Sequence, residues 1–390
     1  MAAPEKFLCH ITDAAIGDLH ARIDAMRWPG DFPDEHADYG IPAPYLRELV
    51  HHWRHEFNWR AWEAKFNATP QFKLTIDGLV THFLHARSPH PGAATLLLTH
   101  GWPGSIFEFS ELIPRLTEPE KFGGNPADAY HVVAPSLAGY GFSDPATGPG
   151  MSPRAIAARH VKLMQALGID RYIAQGGDWG SVVSTHTAGL DPSHCAGLHL
   201  NMVAPIPPSG VPDPMALVAP HEMKFLARTQ AFRDQGMGYF ALQSTKPNTL
   251  GFALNDSPVG LCAWIAEKFL AWTDCAAPDG SRDIRNALSW DQMLANISLY
   301  WFTGSAASAA RIYREHTQSE ARGEKTPPPT QKTAVAAFPE EILMAPRQWA
   351  ERTFKIVQWD DQESGGHFAA MEKPQALAES LWHFKHRVEE

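Results

Sequence analysis

The stretch Tyr172-Ile173-Ala174-Gln175-Gly176-Gly177-Asp178-Trp179-Gly180-Ser181 is the most informative part of the chain. An apolar run rich in β-formers leads into two glycines, a carboxylate, an aromatic residue and a further glycine, and a helix-compatible segment follows. Gly176 and Gly180 leave room for a tight turn that lifts the side chain of Asp178 above the end of a strand. The pattern predicts a strand, a sharp turn and a helix, although Gly-Gly-Asp also occurs in ordinary turns after strands.

This small-x-nucleophile-x-small spacing is the layout of the nucleophile elbow of α/β-hydrolases, in which lipases and esterases carry a serine. Asp178 occupies the place of that serine. A carboxylate there attacks carbon directly and becomes an ester of the enzyme, so the predicted substrates are strained or activated electrophiles such as epoxides or alkyl halides. The elbow, and the alternation of strand and helix patterns around it, predict an α/β-hydrolase core with a mostly parallel sheet.

The alternation stops near Pro205, where helical patterns interrupted by prolines begin, and strand patterns return at Thr333. A catalytic core interrupted by a helical lid has this layout. The first 70 residues are rich in tryptophan and helical in pattern, which predicts an N-terminal helical extension wrapping the core. The predicted division is 1–70 for the extension, 71–204 and 333–390 for the two parts of the core, and 205–332 for the lid.

Charge and cysteine usage narrow the class of protein. The 390 residues carry a formal net charge of −10 and no basic tract, which argues against nucleic acid as a partner. The four cysteines are scattered without paired metal or redox spacing, so we expect a reduced, cytoplasmic compartment. No stretch approaches the roughly 18 apolar residues that a membrane span needs. The twenty histidines show no zinc-site spacing, and we expect no metal ion.

An aspartate nucleophile needs donors for a developing oxyanion and a base to activate water. The loop that begins at His100 follows a predicted strand, and its backbone N–H at Trp102, with that of Trp179, would face the Asp178 carboxylate. His367 lies in a glycine-flanked loop beyond the last strand, where the histidine of such sheets belongs. Its near-neutral pKa would let it take a proton from water.

The acid that orients the histidine is less well defined by spacing. Four carboxylates come soon after predicted strands: Glu340, Glu341, Asp360 and Asp361. The first two follow the predicted strand 333–337, and the other two end the next strand. Spacing alone leaves all four open, because carboxylates are common at the surface.

Several motifs together closely resemble those of the microsomal-type epoxide hydrolases. They are Arg27-Trp-Pro, Asp38-Tyr-Gly, His100-Gly-Trp-Pro-Gly-Ser, Gly177-Asp-Trp-Gly-Ser, Gln243-Ser-Thr-Lys-Pro, Asn255-Asp-Ser-Pro-Val-Gly and Gly365-Gly-His-Phe-Ala-Ala. The resemblance spans almost the entire chain, and the combination is far more specific than an elbow alone. It implies the α/β-hydrolase fold together with that family's N-terminal region.

The resemblance also implies roles for the residues that match the family's motifs. Asp178 would be the nucleophile and His367 the base. The family's acid lies two residues beyond the proline of a Phe-Pro-x-Glu segment, which indicates Glu341 rather than Glu340. The spacing from Glu341 to His367 is slightly shorter than in the mammalian forms.

Two lid tyrosines of that family would hold the oxygen of the epoxide. Tyr239 matches the first, and Tyr313 matches the second, with Tyr300 as the alternative. Opening an epoxide leaves an alkoxide that needs a proton or strong hydrogen bonds, and a Tyr O–H with a pKa of about 10 stays protonated at neutral pH and can donate.

The implied reaction is hydrolysis of a small apolar epoxide to a vicinal diol, with water as the second substrate and no cofactor. The resemblance implies a role in detoxification or in the catabolism of aromatic hydrocarbons, and a homodimer is left open. The membrane anchor of the mammalian forms is missing, so we expect a soluble form. Aromatic lid residues suggest an apolar pocket without indicating which of them line it: Trp264, Trp272, Trp301 and Phe302.

Two other classes stay open at this point. A haloalkane dehalogenase also uses an aspartate nucleophile, and Trp102 and Trp179 could cradle a halide; release of halide without turnover of styrene oxide would identify it. A hydrolase-fold protein that only binds a small apolar ligand would form no diol. An intact set of Asp, Glu and His argues against that class.

Overall fold

The computed structural model describes residues 3–30 and 38–390. Residues 1, 2 and 31–37, which belong to the predicted N-terminal extension, lie outside the described residues. Within the described part of the chain, nine strands form one sheet: β1 (Glu5–Phe7), β2 (Gln71–Ile76), β3 (Leu79–Ala86), β4 (Ala94–Thr99), β5 (Tyr130–Pro135), β6 (Tyr172–Gly176), β7 (Cys195–Leu200), β8 (Lys332–Ala337) and β9 (Lys355–Asp361).

The strands lie in the order β1-β2-β3-β5-β4-β6-β7-β8-β9. Pairing is antiparallel from β1 through β3 to β5 and parallel across the rest of the sheet. The predicted α/β-hydrolase core with a mostly parallel sheet is therefore confirmed. The register pairs Thr99 with Gly176, so the last residues of β4 and β6 lie side by side and the loops after them meet at one edge of the sheet.

Helices cover the sheet and fill the segment between β7 and β8. They are α1 (Asp13–Asp24), α2 (Ala43–His55), α3 (Trp59–Asn67), α4 (Leu112–Thr117), α5 (Pro153–Ala166), α6 (Trp179–Leu190), α7 (Met223–Ala231), α8 (Gly238–Thr245), α9 (Pro247–Asp256), α10 (Pro258–Trp272), α11 (Trp290–Thr303), α12 (Ala306–Ala321), α13 (Arg347–Ala350), α14 (Ala369–Glu372) and α15 (Pro374–Glu389). Helices α7 to α12 form the helical lid inserted between two strands of the core.

The N-terminal helices α1 to α3 pack on the lid as well as on the core. Trp53 of α2 donates its indole N–H to the Ser298 hydroxyl of α11 at 3.0 Å, and the ring centroids of Trp59 and Phe302 lie 4.9 Å apart. Arg22 of α1 donates to the carbonyl of Asp256 at the end of α9. The extension thus fixes the lid helices from outside.

One local prediction differs from the structure, and one strand was not predicted. The amphipathic pattern from Phe107 to Leu116 predicts a single helix, whereas the structure has a 3₁₀ turn, Ile106–Phe109, followed by the separate helix α4. Pro114 explains the break, because it has no N–H to donate to the preceding turn and its ring clashes with the carbonyl four residues earlier. The strand β1 was not predicted, since a three-residue strand depends on its partner β2 and not on intrinsic propensity.

No described helix, in residues 3–30 or 38–390, combines the length and the apolar character required to cross a bilayer. In the same ranges, no three His, Cys, Asp or Glu side chains come together in a way that could hold a metal ion.

Buried histidines serve the packing of the sheet. His82 of β3 is fully buried, and its two ring nitrogens lie 3.0 Å from the Ser136 hydroxyl and 3.0 Å from the Gln71 side-chain carbonyl. Burial, with a smaller effect of the Lys73 charge, lowers the pKa of His82 to about 3. The folded protein therefore keeps this imidazole neutral at a pH where the unfolded chain protonates it.

This difference predicts a pH dependence of stability that His82→Gln should remove. Below the unfolded pKa of 6.5, each pH unit costs the folded state roughly 1.4 kcal/mol at this site, because only the unfolded chain takes up the proton. We expect the stability advantage of the wild type over His82→Gln to shrink by about 2 kcal/mol between pH 7 and pH 5 in urea unfolding. His383→Gln, at an exposed position on α15, is the control for substituting a histidine. A stability difference between the wild type and His82→Gln that stays constant from pH 7 to pH 5 would contradict the prediction.

Candidate active site

The turn between β6 and α6 carries Asp178 in a strained backbone conformation. Its φ is 50° and its ψ is −132°. Among the described non-glycine residues only Asp77 and Asp178 have positive φ, and Asp77 lies in the two-residue hairpin turn with Gly78. A non-glycine residue in this region costs roughly 1–3 kcal/mol and persists where the surrounding structure holds it. The elbow at Asp178 is therefore imposed by its surroundings.

Close packing behind the elbow requires glycine at two positions. A Cβ atom at Gly176 would overlap the carbonyl of Gly180, and a Cβ at Gly180 would overlap the carbonyl of Thr99 at the end of β4. These backbones approach each other because β4 and β6 are neighbours and α6 starts directly above them. Larger residues would push α6 away and displace Asp178.

The side chains of Asp178, His367 and Glu341 contact one another in a row of three ionisable groups. The Asp178 Oδ2 atom lies 3.3 Å from His367 Nε2, and His367 Nδ1 lies 2.9 and 3.0 Å from the two carboxylate oxygens of Glu341. The side chains of Glu341 and His367 are 0% and 1% exposed, and that of Asp178 is 18% exposed. Burial lowers the pKa of His367, but Glu341 and Asp178 outweigh burial and hold it well above its ordinary value.

The other three carboxylates that spacing left open have different partners. Glu340 forms an ion pair with Arg228 and is partly exposed. Asp360 accepts a hydrogen bond from the Ser380 hydroxyl at 2.5 Å, and Asp361 accepts one from the indole N–H of Trp359. The structure therefore brings Glu341 alone of the four to His367.

The loop after β4 supplies a donor to Asp178. The backbone N–H of Trp102 donates to Asp178 Oδ1 at 2.7 Å, whereas the described hydrogen bonds include none from the Trp179 N–H to Asp178. Buried His100 fixes this loop, because its Nδ1–H donates to the Gly101 carbonyl and its Nε2 accepts from the Leu137 N–H. Burial lowers the pKa of His100 to about 4, so the imidazole stays neutral and keeps both bonds.

Tyr239 of α8 and Tyr313 of α12 meet in front of the elbow. Their ring centroids lie 5.6 Å apart, and the Trp102 ring contacts both at 5.1 and 5.6 Å. The Tyr313 ring also meets the edge of the Trp179 indole at 4.8 Å. Burial raises the pKa of each phenol. The Asp178 carboxylate adds to the rise at Tyr239, and Tyr239 and then Asp178 add to it at Tyr313. Both hydroxyls are thus protonated donors at neutral pH.

Tyr300, the alternative second tyrosine, is engaged elsewhere. Its hydroxyl donates to the Gly104 carbonyl at 2.8 Å, and Asn296, one turn earlier on α11, donates to the Pro103 carbonyl at 2.8 Å. The Tyr313 hydroxyl has no hydrogen-bond partner among the described residues. Tyr313 therefore offers a free hydroxyl where Tyr300 fastens the lid to the loop of Trp102.

The lid aromatics divide between the site and the extension. Trp272 contacts the site, with ring centroids 5.3 Å from Tyr239 and 5.1 Å from His367. Trp264 donates to the Gln243 side chain. Trp301 and Phe302 face the N-terminal helices instead.

Glu372 is a residue of the site that sequence reasoning missed. Its buried carboxylate accepts backbone N–H bonds from Gly366 at 3.0 Å and Phe368 at 2.9 Å, on both sides of His367. It also accepts the N–H of Asp274, just beyond α10, at 2.8 Å. The available signal was its place five residues after His367 at the end of a glycine-rich motif, but only the fold shows that it joins the histidine loop to the lid.

Lys268 of α10 also escaped sequence reasoning. Its side chain is 8% exposed and forms an ion pair with the neighbouring Glu267. Its Nζ lies 4.6 Å from the centre of the Tyr239 ring, which places a cation on the face of a phenol in the site.

The sequence matches known families along nearly its whole length. Residues 4–109 match the family described as epoxide hydrolase N terminus, and residues 94–374 match the family described as alpha/beta hydrolase fold. A protein of Stigmatella aurantiaca is 46% identical over 376 residues, which cover 96% of this chain and 83% of that protein.

Two further relatives carry informative names. Epoxide hydrolase 1 of Sus scrofa is 36% identical, with 98% of this chain and 89% of that protein covered. The solved structure of Aspergillus niger epoxide hydrolase superposes with a TM-score of 0.88 at 32% identity, covering 99% of this chain and 97% of that chain.

The three bonds to Glu372 predict a measurable cost for Glu372→Gln. The amide keeps one acceptor oxygen but turns an NH₂ group toward buried N–H donors, so at least one donor loses its partner at a cost of about 1–3 kcal/mol. Urea unfolding at pH 7 should show this loss. Glu379→Gln, on the exposed face of α15, is the matched control and should change the free energy of unfolding by less than about 0.5 kcal/mol. Equal stability of the two variants would contradict a stabilising role for the three hydrogen bonds to Glu372.

Proposed function

The chain belongs to the microsomal-type epoxide hydrolases and converts epoxides and water to diols, and from this premise we propose that it acts through a covalent ester on Asp178. The observation that carries the proposal is the single line from Asp178 through His367 to Glu341, with the Trp102 N–H on the free side of the nucleophile. The helical segment 205–332 acts as the lid over this line, and the extension 1–70 and the core segments 71–204 and 333–390 support it.

The first step forms the ester. Ionised Asp178 attacks one carbon of the ring, the bond from that carbon to the epoxide oxygen breaks, and Tyr239 and Tyr313 donate to that oxygen as its charge develops. Both phenols are protonated at neutral pH because burial raises the pKa of each. Ring strain supplies driving force, while the fixed positions of nucleophile and donors supply orientation and electrostatic stabilisation.

The second step breaks the ester. Esterification removes the negative charge of Asp178, one of the two charges that raise the pKa of His367, so this pKa falls and more of the imidazole is in the neutral form that can accept a proton. His367, oriented by Glu341, takes a proton from water, and the hydroxide adds to the carbonyl carbon of Asp178. The Trp102 N–H, with that of Trp179, stabilises the oxyanion. When the intermediate collapses, the bond from the Asp178 carbonyl carbon to the substrate oxygen breaks, that oxygen takes the proton from His367, and the diol is released.

An aromatic wall favours small apolar epoxides. Trp272 and the two tyrosines surround the approach to Asp178, and the indole of Trp179 extends the same wall. Such a wall binds hydrocarbon surface and excludes water from the reacting carbon.

The cellular setting is part of the same proposal. We place the enzyme in the cytoplasm, in detoxification or in the catabolism of aromatic hydrocarbons. The four cysteines are free thiols, which supports a reducing compartment.

The covalent route predicts the fate of isotopic label and of a blocked intermediate. Single-turnover reaction in heavy-oxygen water should put the label into Asp178, since water attacks the ester carbonyl. Label found in the diol alone would contradict the covalent route. His367→Gln should accumulate the ester, seen as an intact-mass increase equal to the substrate.

Glu341→Gln should slow ester hydrolysis by about 10²-fold or more, whereas the neighbouring Glu340→Gln should leave it near the wild-type rate.

The tyrosine pair predicts which hydroxyls matter in ester formation. Tyr239→Phe and Tyr313→Phe should each slow that step by about 10–100-fold, because one of two donors to the epoxide oxygen is lost. Rapid-quench measurement of ester formation on styrene oxide tests this. Tyr300→Phe is the comparison, and a loss there together with a normal rate in Tyr313→Phe would assign the second donor to Tyr300.

A further inference from the structure

A cavity lies away from the active site, between the loop after β5 and two helices of the lid. The loop residues 138–151 and the start of α5 form one side of it, and α9 and α12 form the other. Its volume is about 390 Å³, and pockets that hold small ligands have about 300–1,000 Å³. Asp178, His367, Tyr239 and Tyr313 are not among the residues that line it. The cavity is therefore separate from the place where the epoxide reacts.

Hydrogen bonds fix the loop to α12 on both sides of this cavity. The Ser308 hydroxyl donates to the Gly139 carbonyl at 2.6 Å, and the Gly150 N–H donates to the Glu315 carboxylate at 2.7 Å. Ser308 and Glu315 are about two turns apart on α12. The two glycines have φ angles of 83° and 113°, which residues with a Cβ atom rarely adopt. The walls are therefore held in place, and the space between them is a formed cavity.

The floor of the cavity is apolar. Ile156 of α5 and Ile312 of α12 are 2% and 3% exposed, and Ala138 and Met151 of the loop are half-buried. Water gains few hydrogen bonds from such a surface. A hydrocarbon group that covers it leaves water, which is favourable.

Two arginines of α12 also line the cavity. Arg311 and Arg314 lie one turn apart on the same face of the helix and are exposed to solvent. Their described hydrogen bonds go to neutral oxygens. Arg311 Nε donates to the Asn248 side chain at 2.9 Å, and Arg314 Nη1 donates to two carbonyls, those of Ser244 and Thr245, at 3.5 and 3.3 Å. A guanidinium has five N–H donors, so both arginines retain donors for a ligand.

The charges around the cavity favour a ligand with one negative charge. Arg311 and Arg314 carry two positive charges, and Glu315 carries one negative charge. The balance of one positive charge matches a carboxylate, which is a monoanion at neutral pH. The planar guanidinium group suits a carboxylate in particular, because two parallel N–H groups can donate to its two oxygens.

We propose that this cavity binds an amphipathic carboxylate, with the hydrocarbon part on the apolar floor and the carboxylate between Arg311 and Arg314. A medium-chain fatty acid has this chemistry. Tyr313 lies between two residues of the cavity, and its ring faces Trp102 and Tyr239 in the active site. The carboxylate ligand and the epoxide therefore lie on opposite sides of one turn of α12, and the proposal does not depend on the covalent route.

Isothermal titration calorimetry of the full chain with sodium octanoate at pH 7 tests the proposal. Octanoate should bind the wild type. Octanamide, which has the same chain without the charge, should bind about tenfold more weakly or worse, because the charged hydrogen bonds to the arginines are lost. Acetate should also bind about tenfold more weakly or worse, since it leaves the apolar floor uncovered. These comparisons use the wild type alone.

Variants then distinguish the cavity from the active site. Arg311→Gln and Arg314→Gln should each weaken octanoate binding by about tenfold. Arg171→Gln removes the same charge from an exposed position before β6 and should leave the affinity within about twofold. Octanoate bound in front of Asp178 would respond to none of the three substitutions.

Several results would overturn the proposal. They are the absence of octanoate binding to the wild type up to about 10 mM, binding of octanamide or acetate as tight as that of octanoate, and an unchanged affinity in both Arg311→Gln and Arg314→Gln. A crystal structure grown with octanoate decides the location directly. Octanoate in contact with Arg311 and Arg314 supports the proposal, and octanoate only in the active site overturns it.

Discussion

The sharp turn at Asp178 is the constraint on which the site depends. Positive φ at Asp178 is unfavourable for a residue with a side chain, and it occurs where the backbones of Gly176, Gly180 and Thr99 pack too closely to admit a Cβ atom at either glycine. The same approach places the loop after β4 against the elbow, so the Trp102 N–H reaches Asp178 at 2.7 Å. One packing requirement in the sheet thus fixes the direction of the Asp178 side chain and of the N–H group that donates to it.

The electrostatics of the site follow from placing three ionisable groups, two of them fully buried, in one line. Two carboxylates on either side of His367 overcome the effect of burial and raise its pKa. A carboxylate that becomes an ester loses its charge, so the chemistry of the first step itself changes the basicity available for the second. In the proposed route Asp178 is therefore the nucleophile, and its charge also sets the pKa of His367, the proposed base. Neutral hydrogen-bond donors alone could not change that pKa in this way.

The lid does more than cover the substrate. It contributes Tyr239 and Tyr313, and Trp272 at the end of α10 accepts the backbone N–H of His367. Glu372 joins the same loop to Asp274. Because α10 and α11 are in turn held by the N-terminal helices, the position of His367 depends on elements from both ends of the chain. A lid built in this way is part of the catalytic framework.

The sequence by itself determined the fold class, the family and the reaction, and the fold and the epoxide hydrolase activity predicted from it are confirmed. Strand periodicity and the spacing of glycines around Asp178 are local properties, so they can be seen without coordinates. The break of the helix at Pro114 was also local, but the apolar pattern masked it. The four candidate carboxylates could not be separated by spacing, because each lies at or just after the end of a strand and only packing decides which one turns inward. Tertiary structure alone brought Glu341 to His367, Tyr313 beside Tyr239, and Glu372 to the lid, since these contacts join residues far apart in sequence whose proximity no local pattern encodes.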